Sequence, residues 1–228
     1  KESATAGFDI VSFTGNSSDG TTPQDVSHSL SAVPHFMWNK NRADATQHNI
    51  YHHKNTAAPE TEIIYLNLTN ATADDSAFWG DTAPTSSVFT VGGDNGANGN
   101  SDAMITYLWS EKQGFSKLGS YKGNSSADGT FVYLGFRPAF VMLKATSGGE
   151  GWDMVDNKRQ GFNPENEEFF ANSNGAEGTS NRIDLLSNGF KLRDDNSLVN
   201  ASAITSYIYM AFAEAPFVNS NGVPCNAR

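Results

Sequence analysis

The chain has few of the features that mark membrane, disulfide-bonded or nucleic-acid-binding proteins. Its single cysteine, Cys225, has no partner for an internal disulfide and says little about the redox compartment. No apolar run approaches the length of a bilayer span. The 25 acidic residues outnumber the 15 basic ones, and a net charge of −10 disfavours nucleic acid and anionic lipid as partners. We therefore expect no nucleic-acid binding and no membrane insertion.

Helical periodicity is also almost absent, and small polar residues are abundant instead. Charged residues make up 18% of the chain and hydrophobic residues 38%, and the remainder is rich in Asn, Gly, Ser and Thr. Such residues favour turns and short strands over helices. An aromatic share of 11% supplies enough apolar surface for a core, which argues against disorder. Because the chain starts at Lys1 without Met, we expect a processed product or a fragment of something longer.

The most informative positive feature is an internal duplication. Several stretches recur about a hundred residues later, and the offset drifts from 108 to 102 as loop insertions and deletions would make it. A duplicated unit usually means a building block that is reused for assembly or multivalent binding. The matched pairs are 12–18 (SFTGNSS) with 120–126 (SYKGNSS), 34–40 with 138–144, 87–91 with 188–192, and 107–109 with 209–211.

Each copy contains six or seven short runs with strand character, separated by Gly, Asn and Asp turn signals. The pattern predicts an all-β protein of two tandem antiparallel β-sandwich repeats, jelly-roll-like in form. The last run of each copy is apolar on nearly every position, which predicts a strand covered on both faces by another unit or by a partner subunit. One short helical turn is expected within 157–168. The predicted strands are 8–14, 36–38, 49–53, 62–68, 87–91, 103–110, 115–122, 130–134, 139–144, 152–156, 168–172, 189–193 and 204–213. The predicted boundaries are a linker at 1–7, repeats at 8–114 and 115–217, and a tail at 218–228.

Four motifs of the second copy together resemble a known family of repeats. They are Tyr121-Lys122-Gly123-Asn124, then 137–144 (RPAFVMLK), then 188–192 (NGFKL), then 207–214 (YIYMAFAE). The set is similar to a repeated β domain of bacteriophage tail-fibre and tail-associated virion proteins, especially those of short-tailed marine phages. The first copy departs from this pattern at Trp38-Asn39 and at 87–89 (SVF), so it is a diverged copy.

The resemblance implies a non-enzymatic virion protein, part of a tail fibre or another external appendage. It implies other virion proteins as partners, a homo-oligomer (often a trimer in such fibres), contact with host cell-surface glycan, and no cofactor. It supplies no catalytic residues. Three alternatives remain open: a capsid decoration protein, a secreted lectin-like carbohydrate-binding module, and a carbohydrate-active enzyme such as a depolymerase.

Two aromatic side chains in or beside loops are the candidate ligand contacts. Trp79 stands in Phe78-Trp79-Gly80-Asp81, and Trp152 stands in Gly151-Trp152-Asp153. Sugar sites combine an aromatic face with nearby carboxylate and amide groups. Trp79 with Asp81, and Trp152 with Asp153, are therefore predicted to be exposed and to contact sugar, although Trp152 could equally open a core strand at the position that His48 holds in the first copy.

Metal and catalytic patterns are weaker. The loop 94–102 offers oxygen ligands at Asp94, Asn98 and Asp102, as calcium loops do, but it lacks the Glu of an EF-hand, and a plain Asn/Gly loop is the favoured interpretation. His48, His52 and His53 lie close together in the sequence, but no carboxylate or cysteine completes a zinc set at a usual spacing, and a polar strand face or a subunit contact is favoured. Neighbouring acids at 74–75 and 167–168 point to opposite strand faces and are expected to be solvated rather than glycosidase pairs. No nucleophile elbow or phosphate-binding loop is present.

Overall fold

The computed structural model describes residues 3–159, 162–202 and 205–215, and it confirms an all-β protein with antiparallel sheets. The described chain forms two compact units. The first holds the residues up to Leu68 and Thr72–Ser110, and the second holds Thr69–Ala71 and the residues from Glu111 onward. The unit boundary lies four residues before the predicted one. Within the predicted linker, Ser3 exchanges backbone hydrogen bonds with Phe8, and the predicted tail lies outside the described residues.

The first unit contains eight strands, two short α-helices and one 3₁₀ turn at Pro59–Thr61. Its elements are β1 (Phe8–Thr14), β2 (Gln24–Ser27), β3 (Phe36–Asn41), β4 (Asn49–His52), β5 (Glu62–Tyr65), β6 (Ala73–Asp74), α1 (Ser76–Trp79), β7 (Val88–Val91), α2 (Asn95–Asn98) and β8 (Ala103–Trp109).

The second unit repeats the series of strands and the helix before the last strand, but its described residues include no equivalent of α1 or of the 3₁₀ turn. Its elements are β9 (Ser116–Lys122), β10 (Phe131–Tyr133), β11 (Pro138–Ala145), β12 (Trp152–Asp156), β13 (Glu165–Phe170), β14 (Gly178–Leu186), β15 (Gly189–Leu192), α3 (Ser197–Asn200) and β16 (Ser206–Ala213). None of the helices in the described part of the chain is long and apolar enough to cross a membrane.

The two units share one strand order. The first has a six-stranded sheet in the order β1-β8-β3-β4-β5-β6 and a separate pair β2-β7. The second has one eight-stranded sheet in the order β9-β16-β11-β12-β13-β14-β15-β10, which is the same sequence of equivalent strands without the break. The duplication seen in the sequence is therefore a duplication of topology.

The eight-stranded sheet of the second unit is nearly closed, and side chains link its two end strands. Lys117 Nζ of β9 donates to the carbonyl of Tyr133 in β10 at 2.7 Å, and Thr130 Oγ1 donates to the carbonyl of Lys122 at 2.8 Å. In the first unit, where β2 and β7 form a separate sheet, side chains also link β1 to the segment around β2. The carboxylate of Asp9 accepts hydrogen bonds from the backbone and hydroxyl of Ser29, and Gln24 Nε2 donates to the carbonyl of Thr14. We name this line of contacts, which covers otherwise open strand edges, the seam.

Each unit has its own apolar core, and an equivalent aromatic pair packs in or against it. Phe13 and Phe89 pack edge to face in the first unit, with ring centroids 6.3 Å apart. Tyr121 and Phe190 do the same in the second, at 6.0 Å. These rings come from the repeated motifs, so the duplicated residues are those that build the core.

Thirteen strands follow the predicted runs closely, and β1 and β12 match to the residue. The strands β2, β6 and β14 were not predicted. The helical turn expected within 157–168 is wrong for the described residues there, because β13 begins at Glu165. Of the two final strands, β16 is buried at six of its eight positions, as expected, whereas β8 alternates between a buried and a partly exposed face. Ile204, the predicted start of β16, lies outside the described residues.

Candidate functional site

The most elaborate polar arrangement in each unit is a buried asparagine at the end of a short helix. Asn98 and Asn200, at the C-terminal ends of α2 and α3, are fully buried. Each bonds through both side-chain atoms to the Gly-Asn motif that follows the first strand, namely Asn16 or Asn124. We call this arrangement the asparagine anchor. Because a buried amide must satisfy its donors and acceptor, the anchor fixes the loop after the first strand in both units.

Trp79 is part of the core and not of a surface site, which corrects the expectation of exposure. It ends α1, a helix capped at its start by the Asp75 carboxylate and ended by Gly80 in the left-handed conformation. The indole is 1% exposed and packs edge to face on Tyr51, with ring centroids 5.9 Å apart. Trp79 therefore offers no ring face to a sugar.

Asp81, in contrast, lines a small cleft in the first unit. The cleft has a volume of about 300 Å³. Gly92 and Gly93 form part of its wall, and a Cβ on Gly92 would lie 2.2 Å from the carbonyl oxygen of Ala77. The wall is thus largely backbone, which lets a ligand approach main-chain groups. Together with the exposed carboxylate of Asp81, this arrangement can accept hydroxyl donors from a small polar ligand. The lining residues are Gly20, Thr21, Pro23, Ser76, Ala77, Gly80, Asp81, Gly92 and Gly93.

Trp152 and Asp153 are also buried, at 1% and 2% exposure. Trp152 is the first residue of β12, at the position that His48 holds in the first unit. This is the alternative that the sequence left open, in which Trp152 begins a core strand. Burial, with the Glu168 carboxylate nearby, raises the pKa of Asp153 to about 7. One of its carboxylate oxygens has no hydrogen-bond partner among the described residues. Asp153 is therefore an interior titratable group and not a surface sugar ligand.

An ion-pair network surrounds Asp153 on the neighbouring strands. Arg182 of β14 forms a two-pronged pair with Glu168 of β13 and donates to Asp194 Oδ2 at 2.8 Å. Glu168 is 3% exposed. Pairing with the guanidinium of Arg182 satisfies this carboxylate in the interior. The network stabilises the sheet and leaves no open carboxylate pair for glycoside hydrolysis at Glu167-Glu168.

The calcium candidates are occupied by protein partners. Asp94 caps α2 by accepting from the Gly96 N–H at 2.7 Å, and Asp102 Oδ2 accepts from Asn41 Nδ2 at 2.7 Å. Asn98 belongs to the asparagine anchor. Two of the other polar candidates also have protein partners. Asp75 caps α1, and His48 Nε2 lies 2.6 Å from Lys40 Nζ, where burial and the Lys40 charge lower the pKa of His48.

Sequence reasoning missed two exposed aromatic residues on β10. Phe131 and Tyr133 are 43% and 60% exposed, whereas Val132 between them is buried. In the run 130–134 both alternating sets of positions are largely apolar, so the pattern gave no signal of which set faces solvent.

These features define a duplicated antiparallel β protein whose repeated residues serve the core and the asparagine anchors. Residues 2–216 match the model of a family described as a domain of unknown function, DUF7483, and the chain belongs to that family. The match extends across both units. Comparison with curated proteins and with solved structures gave no match.

Proposed function

We propose that the chain is a non-enzymatic structural protein of a bacteriophage virion, part of a tail fibre or another external appendage, and that it contacts glycan on the host surface. The observation that carries this proposal is the duplication. Both units repeat one strand order and one asparagine anchor, so the duplication preserves the scaffold. Repetition of a scaffold suits assembly and multivalent attachment, in which several weak contacts together give firm binding.

The construction of each unit agrees with a role outside a cell. In both units side-chain hydrogen bonds lie across the seam and an asparagine anchor holds a loop to the core, and the second unit adds the buried Arg182–Glu168 ion pair. Such features limit local opening, on which proteolysis depends. The resemblance of the second unit to tail-fibre repeats supports the same assignment. From that resemblance we also expect the chain to form a homo-oligomer, and a trimer in particular.

The test is to stain purified virions of the source phage with gold-labelled antibodies raised against the chain and to view them by electron microscopy. Label at fibre tips or along the tail is the expected result. Label distributed evenly over the head would replace the proposal with capsid decoration. Absence of label from every particle would overturn the virion assignment, and a secreted lectin-like module would then be the better account.

The proposal that the protein is not an enzyme has a separate test. A depolymerase would release reducing ends from host polysaccharide, and the release would stop when one acidic residue is replaced. We expect no release by the chain. Release that is lost in Asp81→Asn, the variant at the cleft of the first unit, would contradict a purely structural role.

A further inference from the structure

The outer face of β10 carries two neighbouring aromatic rings that the fold does not bury. Phe131 and Tyr133 alternate with the core residue Val132, so both side chains point away from the core. Single apolar residues on a surface are ordinary, but adjacent exposed aromatic residues on one strand face form a patch that indicates a binding site.

The two aromatic rings have a glycine on one side, which leaves the surface flat, and a lysine on the other side, which makes it positively charged. Tyr133 is paired across the sheet with Gly189, which has no side chain, and the Phe131 ring lies 3.2 Å from where a Cβ of Gly189 would be. On the other side, Lys117 Nζ lies 5.4 Å from the centroid of the Tyr133 ring. Because Tyr133 is 60% exposed, the ring still offers apolar surface to solvent.

The first unit shows that the fold does not require these rings. Its equivalent strand, β2, pairs with β7 as β10 pairs with β15. Asp25 and Ser27 stand there at the positions of Phe131 and Tyr133, and Val26 is the buried residue between them. The same architecture therefore tolerates polar residues at both positions, and the aromatic pair is a feature that only the second unit has.

Lys117 specifies the charge of the partner. The neighbouring cation Lys191 is paired with Asp128 at 2.9 Å, whereas Lys117 forms no ion pair among the residues that the structure describes. Its Nζ donates a hydrogen bond to the carbonyl of Tyr133. In a chain of net charge −10, a cation of this kind beside an aromatic ring is complementary to an acidic group on a ligand.

The size of the patch favours a glycan over a second copy of the chain. A stable protein interface buries about 800 Å² and 20 to 30 residues on each side. Two partly exposed rings and one lysine supply far less than that. Stacking of pyranose rings on two aromatic side chains needs only this much surface, and weak single-site binding suits attachment through many copies.

We propose that Phe131, Tyr133 and Lys117 form a binding platform for an acidic polysaccharide on the outer face of β10. The proposal deepens the attachment function above and rests on it for its biological role. The binding platform and the attachment function can be tested independently, because binding of polysaccharide by the purified chain is measured without any virion.

The experiment measures binding of the purified chain to polygalacturonate, hyaluronan and alginate, with dextran as the neutral comparison, by affinity electrophoresis. The test variant is Phe131→Asp with Tyr133→Ser, which installs the residues of the first unit and should fold. The control is Phe169→Ser, because Phe169 is a comparably exposed aromatic of the second unit, 42% exposed, outside the platform. Circular dichroism checks that each variant is folded.

We expect the chain to bind at least one acidic polysaccharide, the double variant to bind it at least tenfold more weakly, and Phe169→Ser to bind as the parent does. Lys117→Gln keeps a donor for the Tyr133 carbonyl but removes the charge, so it should lose the preference for acidic polymers and most of the salt dependence. No binding to any acidic polymer, or unchanged binding by the double variant, would overturn the proposal. So would conversion of an oligomer to monomer by the double variant in sedimentation, which would make the patch a self-interface.

Discussion

Asn124 and Asn200 exchange two hydrogen bonds in the second unit, and Asn16 and Asn98 repeat the exchange in the first. The Asn124 N–H donates to Asn200 Oδ1 at 2.8 Å, and Asn200 Nδ2 donates to Asn124 Oδ1 at 2.9 Å. In the first unit the corresponding distances are 3.0 and 3.1 Å. Conservation of this geometry between two diverged copies marks the anchor as a requirement of the fold.

Replacing the buried asparagine of the anchor should therefore lower the free energy of unfolding. In Asn200→Ala the carbonyls of Ser126 and Asp194 lose a donor, and the Asn124 N–H loses its acceptor. Buried polar groups left without partners cost about 1–3 kcal/mol each, so we expect a loss of about 2–4 kcal/mol in the free energy of unfolding. Denaturant titration measures it. Asn174→Ala, at an exposed position, is the control, and equal stability of the two variants would refute a structural role for the anchor.

The glycine of the same motif should be equally intolerant. A Cβ on Gly123 would lie 1.9 Å from the carbonyl oxygen of Ala201, and a Cβ on Gly15 would lie 2.1 Å from that of Gly99. Because both obstacles are backbone atoms, Gly123→Ala must displace the loop or the end of α3. We expect destabilisation by about 1–3 kcal/mol. Gly149→Ala, where nothing lies within 4 Å, should leave the unfolding midpoint unchanged, and tolerance of alanine at Gly123 would contradict the close approach.

The parts of the fold that the sequence predicted are those with a strong local signal. The run 8–14 has alternating apolar residues and a terminal Gly-Asn, and β1 matches it to the residue. The nine-residue β14 was missed because its first half, from Gly178 to Arg182, is polar and lacks strand alternation. That strand is held by cross-strand pairing and by the Arg182 ion pairs, which involve residues far apart in sequence.

The candidate site was less accessible to sequence reasoning. Trp79 and Trp152 stand beside glycine and aspartate, a context shared by surface loops and by the ends of buried elements, so local pattern could not give their burial. Asp81 was correctly placed beside a loop, but its cleft is formed by glycines from three separate segments. Exposure of Phe131 and Tyr133 depends on which face of β10 meets the core, which pairing with β15 decides.

Asp153 should make the stability of the second unit depend on pH. Burial, together with the Glu168 charge, raises its folded-state pKa to about 7 from 3.8. Between these values the folded state holds a proton that the unfolded state has released, so the stability falls as the pH rises from about 4 to 7. In Asp153→Asn this dependence should be lost, and the variant should be more stable than the parent at pH 7.5.

Denaturant unfolding at pH 5 and pH 7.5 tests this. The control is Asp156→Asn on the same strand. Burial acts to raise the pKa of Asp156, but hydrogen bonds from Lys158 and Arg159 outweigh it and hold that pKa below its usual value. Its replacement should therefore not reproduce the gain at pH 7.5. If parent and Asp153→Asn lose stability in parallel over this range, Asp153 is not the responsible group.

Lys144 should contribute a second pH dependence, in the alkaline range. The side chain is fully buried on β11, and its Nζ donates to the carbonyls of Ala145 at 3.0 Å and Thr69 at 3.3 Å. Burial lowers its pKa to about 8 from 10.5, although Glu150 acts in the opposite direction. Between these pKa values the unfolded state holds a proton that the folded state has lost, so the free energy of unfolding rises as the pH increases above 8. Below pH 8 the folded state carries the buried charge and its full destabilising effect.

The difference in unfolding free energy between the parent and Lys144→Met should therefore shift in favour of the parent between pH 8 and pH 9.5. The size should be about 1–2 kcal/mol, since each unit of pKa difference corresponds to about 1.4 kcal/mol. Lys158→Met, at a lysine whose side chain is 79% exposed, is the matched control and should show no such shift. A constant difference between parent and Lys144→Met across this range would mean that Lys144 keeps an ordinary pKa despite its burial.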